Sequence, residues 1–121
     1  MVSEVKSMIS PDILDFNAYF PDDCKSFSFL IQVMVGPKGE NSSESFAMEV
    51  CTPNWLNDHR EEYESVIGKG KLIVFKFDLP NILSRIEKIF DGCTGKDWNE
   101  IAINLSRYGH WEFENYQERM P

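Results

Sequence analysis

Two apolar runs separated by a glycine-proline turn constrain this chain more than any other feature. Phe27 to Val35 is rich in aromatic and β-branched residues and is stopped by Gly36-Pro37. From Ser45 to Thr52, Phe46, Met48 and Val50 alternate with Ala47, Glu49 and Cys51, the period-2 pattern of a strand with one buried face. The turn Gly36-Pro37-Lys38-Gly39 and the polar stretch Glu40 to Ser43 lie between the runs. They are therefore predicted to form a hairpin with a long tip. A two-stranded hairpin is marginal in water by itself, so the rest of the chain must cover its apolar face.

The remaining segments supply candidates for that cover. Met1 to Ile9 alternates as a strand does and is stopped by Ser10-Pro11; Asp12 to Phe16 reads as a loop or a single helical turn. Thr52-Pro53 signals a helix start, because Thr can accept from free amide groups and Pro fits the first turn. That helix is predicted to run to about Ile67, with Trp55, Leu56, Tyr63, Val66 and Ile67 available to the core and Gly68 and Gly70 ending it. Lys71 to Phe77 follows as a strand carrying Leu72, Val74 and Phe75. Asp78 caps a second helix, Leu79 to Asp91, with Ile82, Leu83, Ile86, Ile89 and Phe90 at helical spacing. A third is predicted from Asp97 to Tyr108, with Trp98, Ile101, Ala102 and Leu105 in one stripe and Gly109 as a left-handed stop. Trp55, Leu56, Phe75, Ile86, Phe90, Trp98, Ile101 and Leu105 are expected to be mostly buried.

A run of strands with helices gathered later implies an α+β fold. The expectation is an antiparallel sheet of about four strands with three helices mainly on one face. With 121 residues, no repeat and no linker-like segment, the chain reads as one domain, residues 1–121.

Charge and composition exclude several kinds of work. Asp and Glu number 20 against 12 Lys and Arg, a formal charge of -8. Such a chain repels a phosphate backbone, whose binding depends on clustered cations, so no nucleic-acid partner is expected. No run approaches the roughly 18 apolar residues of a membrane span, and Met1 to Ser10 has no apolar core of signal-peptide length. Cys24, Cys51 and Cys93 are too few and too widely spaced for a disulfide framework. A cytoplasmic protein is expected, with neither membrane nor cofactor.

Catalytic and metal motifs are sparse. His59 and His110 stand far apart, no C-x-x-C or G-x-S-x-G occurs, and Gly68-Lys69-Gly70-Lys71 lacks the spacing of a phosphate loop. Cys51 is the one nucleophile worth weighing. It precedes a helix start, which lowers a thiol pKa, and a histidine beside it would complete a Cys-His pair. Against that, free cysteine is among the most buried residue types.

Binding is the better-supplied chemistry. Asp58, Glu61, Glu62 and Glu64 concentrate four carboxylates on the polar side of the first helix. The closing stretch Arg107-Tyr108-Gly109-His110-Trp111-Glu112-Phe113-Glu114-Asn115-Tyr116 sets four aromatics among acids, the mixture found in interface anchors. Glu112, Glu114 and Tyr116 are the candidates there. The same aromatics could instead finish the core, and the hairpin tip, Lys38 to Ser43, is a further candidate surface.

These segments also carry a resemblance. Ser10-Pro11-Asp12, Val35-Gly36-Pro37-Lys38-Gly39-Glu40 with Glu44-Ser45-Phe46, Cys51-Thr52-Pro53-Asn54-Trp55-Leu56, Asp97-Trp98-Asn99-Glu100-Ile101-Ala102 and the closing aromatic stretch resemble the immunity protein 8 family of bacterial polymorphic toxin systems. The resemblance extends over nearly the whole chain. It implies a small non-enzymatic cytoplasmic protein, encoded beside a toxin, that binds the toxin's C-terminal domain and blocks it. It supplies no catalytic, metal-binding or partner-binding residues to carry over. An acidic domain suits a cationic target such as a nuclease, to be blocked by steric and electrostatic occlusion. The rival readings are a small hydrolase using Cys51 and an intracellular scaffold or assembly subunit unconnected with any toxin.

Overall fold

Side chains alternate along β2 (Ser28–Pro37) and β3 (Glu44–Cys51) as their sequences dictate, and the pairing between them organises the molecule. The computed structural model describes residues 1–59 and 65–114. The antiparallel register sets Phe29 opposite Val50, Ile31 opposite Met48 and Val33 opposite Phe46. One sheet face is thereby apolar over its whole length, and all six of these side chains are buried. The predicted hairpin is present. At its tip Gly36 lies so close to the returning chain that a Cβ would fall 1.9 Å from the Ser42 carbonyl oxygen, so only glycine fits there.

β1 (Ser3–Ile9) pairs antiparallel with β2, with an irregularity between Val5 and Ser7 that resets the register. On the other side β3 carries two short strands along one edge. β5 (His110–Trp111) pairs antiparallel with Phe46 and Ala47, and β4 (Lys71–Ile73) pairs parallel with Glu49 to Cys51. The sheet is therefore mixed, not purely antiparallel as expected. The cause is the short helix α1 (Pro53–Asp58) between β3 and β4: a strand, a crossover helix and a returning strand make a parallel pair.

Two helices close the apolar face. α2 (Leu79–Phe90) buries Leu79, Ile82, Ile86 and Phe90, and α3 (Trp98–Leu105) buries Ile101, Ala102 and Leu105. Asp78 caps α2 as predicted, and Asp97, read from the sequence as the first helical residue, caps α3; each accepts an amide hydrogen from three residues on. Gly92, at φ 77°, takes the left-handed position just beyond α2. Ser3 ties that helix end to β1: its hydroxyl donates to the Phe90 carbonyl at 2.7 Å and accepts from the Cys93 amide at 2.9 Å. Beyond the far end of β2, the rings of Tyr19, Phe20 and Phe27 pack edge-to-face around Phe77.

Several expectations need correction. α1 ends at Asp58 rather than near Ile67. His59 terminates it by turning its Nδ1 onto the Trp55 carbonyl at 2.8 Å and stacking on the Trp55 ring. α1 buries no residue; Trp55 and Leu56 are half-buried and line a small hollow with Glu49 and Lys71, on the sheet face opposite α2 and α3. Val66 and Ile67 are non-helical and exposed, and Tyr63 lies outside the described residues. β4 stops at Ile73, and Phe75 is 78% exposed instead of buried. It shares the parity of Ile73, whereas Leu72 and Val74 pack against the core. Trp98 is half-buried at the margin. Gly109 is not left-handed; it is glycine because the Phe90 ring and the Ala47 carbonyl leave a Cβ only 3.1–3.3 Å.

Ile86, Phe90, Ile101 and Leu105 are buried as expected. Leu105→Ala is expected to destabilise the protein by about 2–5 kcal/mol in urea melts. A loss below about 0.5 kcal/mol, the level of an ordinary surface change, would mean that α3 is not part of the core.

Candidate functional site

The closing aromatic stretch divides between core and surface. Gly109 lets the chain pass close to Phe90, and the next two residues add β5 to the edge of β3. Trp111 stacks on Phe46 with ring centroids 6.4 Å apart, so its ring belongs to the core margin. Its indole Nε1 donates to Glu44 Oε1 at 3.0 Å, and the Trp98 Nε1 donates to the same oxygen at 2.6 Å. A single carboxylate oxygen thus joins the starts of β3 and α3 to β5. Charge-assisted bonds of this kind are stronger than neutral ones. Phe113 packs edge-on to Trp111 and is 40% exposed. Tyr108 is also exposed, and Tyr116 lies outside the described residues.

The two candidate acids in this stretch have internal partners. Glu112 donates its amide to the Ser45 carbonyl and accepts the Ser45 amide on Oε1 at 2.8 Å, extending the β3–β5 pairing by side chain. Glu114 accepts from the Lys69 ammonium and faces His110 Nδ1 at 3.5 Å. The Lys69 hydrogen bond holds the Glu114 carboxyl below its ordinary value of 4.5, against a smaller opposing effect of burial. These contacts bridge the turn before β4 to the chain beyond β5. Gly70, at φ 75°, has the His110 ring where a side chain would begin.

The acids predicted on the first helix are less fully visible. Thr52 Oγ1 accepts the Trp55 amide at 3.2 Å and so caps α1, while also accepting the Phe27 amide at 3.2 Å. Asp58 is exposed at the end of this helix. Glu61, Glu62 and Glu64 lie outside the described residues.

Cys51 sits at the end of β3, fully buried, and its thiol is pushed up to about 11 by burial, with Glu49 adding to the rise. A helix start nearby does not offset that desolvation, and such a thiol stays protonated and closed to substrate. His59 is bonded to Trp55, and His110 lies against Glu114 and Gly70. The structure therefore gives a Cys51 hydrolase neither an activated nor an accessible nucleophile. Among the described residues no group of three or more His, Cys, Asp or Glu side chains could hold a metal ion, and no helix is long and apolar enough to cross a membrane.

One cluster escaped the sequence reading. Arg85, Lys88 and Arg107 line a common hollow. The spacing of Arg85 and Lys88 places them on one face of a helix, but Arg107 joins them only through the packing of α3.

The family model described as Immunity protein 8 matches residues 3–116. No curated protein and no solved structure is matched by the chain.

Two outcomes follow from this geometry. Ellman's reagent is expected to modify the half-buried Cys24 and Cys93 in the native protein and Cys51 only after unfolding; rapid native labelling of Cys51 would show that its site is open. Glu114→Gln keeps the side-chain shape and removes the charge. Because the folded carboxyl is held below 4.5, its stabilising contribution is present above that value and disappears as pH falls through the lowered one. Urea melts of parent and variant should therefore differ at neutral pH and converge in acid; a constant difference would show that the Lys69 contact does not persist in solution.

Proposed function

The chain belongs to the Immunity protein 8 family, and from that premise we propose that it neutralises a bacterial toxin by binding the toxin's C-terminal domain. The observation that carries this reading is the extent of the family match, residues 3–116 of 121. The match takes in the sheet and the three helices of the described residues. We take residues 1–121 to act as one domain in the cytoplasm of the cell that makes the toxin, as part of a polymorphic toxin system.

The proposed mechanism is occlusion without turnover. The buried, protonated Cys51 favours it over the hydrolase alternative. A chain of net charge -8 draws a cationic domain, such as a nuclease, toward itself over distances comparable to the Debye length. Asp58, Glu61, Glu62 and Glu64 are proposed to supply the steering field. Glu112, Glu114 and Tyr116 are proposed to lie at the contact, with Phe113 and Tyr108 as exposed aromatic anchors. The internal partners of Glu112 and Glu114 give this surface a fixed shape before binding, which lowers the ordering cost of association.

Co-expression with the toxin C-terminal domain encoded by the neighbouring reading frame is expected to yield a stable complex and to restore growth. Glu61→Lys with Glu62→Lys should lower the association rate by about tenfold at low salt and less at high salt. Tyr116→Ala should instead raise the dissociation rate. Folded protein that forms no complex would refute toxin binding, and unchanged rates in both variants would remove these two surfaces from the interface.

A further inference from the structure

The overall negative charge conceals a local reversal. Arg85 and Lys88 on α2, Arg107 just beyond α3 and Lys71 at the start of β4 line one open hollow of about 450 Å³. These are four of the chain's 12 Lys and Arg residues. Among the described residues no Asp or Glu lines the hollow. The Lys71 ammonium is held by Glu49 on the other face of the sheet, so the free charge of the hollow rests on Arg85, Lys88 and Arg107. Arg85, Lys88 and Arg107 have no carboxylate within 4.0 Å among the described residues. Gathering like charges raises the free energy of the empty site, and a bound anion relieves it.

A second hollow, of about 520 Å³, shares Leu72 and Arg85 with the first and continues along the outer edge of β4. Its lining includes Ile73 and Phe75, which are 46% and 78% exposed. The two hollows meet at Leu72 and Arg85: the first is cationic, and the second sets the exposed Ile73 and Phe75 beside Lys76, Asp78 and Asn81. Phosphate alone has no use for the exposed Ile73 and Phe75. A long nucleic acid would meet the field of a net charge of -8 on approach. A short protein segment bearing carboxylates beside apolar side chains matches both hollows.

We infer that this groove is the docking site for an acidic, apolar-flanked segment of the toxin domain, with Arg85, Lys88 and Arg107 receiving its carboxylates and Ile73 and Phe75 its apolar side chains. The assignment rests on the toxin-binding reading above and adds a second point of contact to it. Guanidinium groups accept a carboxylate in fork geometry. An acidic segment engaged here and a cationic surface engaged by the acids elsewhere would fix the toxin's orientation, because neither contact survives a reversed approach.

The test is calorimetric titration with the toxin C-terminal domain encoded by the neighbouring reading frame, with circular dichroism as the folding control. Arg85→Glu with Lys88→Glu changes two exposed side chains of α2 and is expected to weaken binding by about 100-fold. Phe75→Ala is expected to weaken it by about tenfold, and Arg85→Lys with Lys88→Arg should retain most of the affinity. Binding by the parent and by the folded double reversal within about threefold of one another, the size of an ordinary rim effect, would overturn the groove assignment alone. Absence of binding by the parent would overturn the toxin reading and the groove with it. A single-stranded oligonucleotide retained at physiological salt by the parent and released by the double reversal would assign the groove to nucleic acid instead. A salt-sensitive dimer of the parent, lost in the same variant, would assign it to a second copy of the chain. Failure of both probes to engage the groove, together with the expected loss of toxin affinity, supports the inference.

Discussion

The register between β2 and β3 is the constraint on which the rest of the structure depends. Phe29, Ile31 and Val33 face Val50, Met48 and Phe46 across the pair, and all of these side chains point to one side. Since the side-chain period of a strand is two, a slip of one residue would turn one strand's apolar set toward water. That one apolar face decides where α2 and α3 must lie. Phe46 then serves as a common floor: the Phe90 ring of α2 packs on it at 5.5 Å, and Trp111 of β5 stacks beside it. The edge strands, the helix positions and the course of the C-terminal stretch all follow from that placement.

Polar contacts then fix what burial leaves free. Glu44 receives two indole N–H groups on one oxygen, Ser3 bonds both the last turn of α2 and the chain beyond it, and Thr52 serves both α1 and the entry to β2. Each joins segments distant in sequence, and each is a site where losing the side chain would leave a backbone or indole group without its partner. The acids around β5 belong to the same scheme. Glu112 and Glu114 are not loose surface charges; they extend the strand pairing and hold the turn before β4. A surface built this way has its shape fixed before any partner arrives.

Much of the fold was legible in the residues, and the failures have physical causes. Period-2 and helical spacing located the hairpin and α2 because each signal there is long and unbroken. The parallel β3–β4 pair was missed although the order strand, helix, strand was in view, since three preceding antiparallel candidates weighed more than one short crossover. Hydrophobicity alone points Phe75 inward, but its parity with Ile73 places it outward. Composition alone favours a helix running past His59, whereas the His59 side chain returns to the Trp55 carbonyl and ends it. The C-terminal aromatics, which the sequence leaves open to core or interface, divide where they are described: Trp111 stacks inward, and Phe113 and Tyr108 are exposed. The cationic groove could not be read at all. Arg85 on α2 and Arg107 beyond the end of α3 line one hollow only through packing, within a chain whose total charge points the other way.

Membership of the Immunity protein 8 family sets the class of partner, and the structure bears on the manner of inhibition. The most reactive candidate side chain, Cys51, is sealed in the core with its proton retained, while the exposed chemistry consists of charge and aromatic surface. The occlusion proposed above is by its nature stoichiometric. The most direct test is to titrate the activity of the cognate toxin domain with this protein. A linear fall to zero at equimolar protein, the same for Cys51→Ser, is the predicted result. Complete loss of toxin activity at a small fraction of equimolar would contradict occlusion, and full toxin activity in molar excess of the folded protein would contradict inhibition itself.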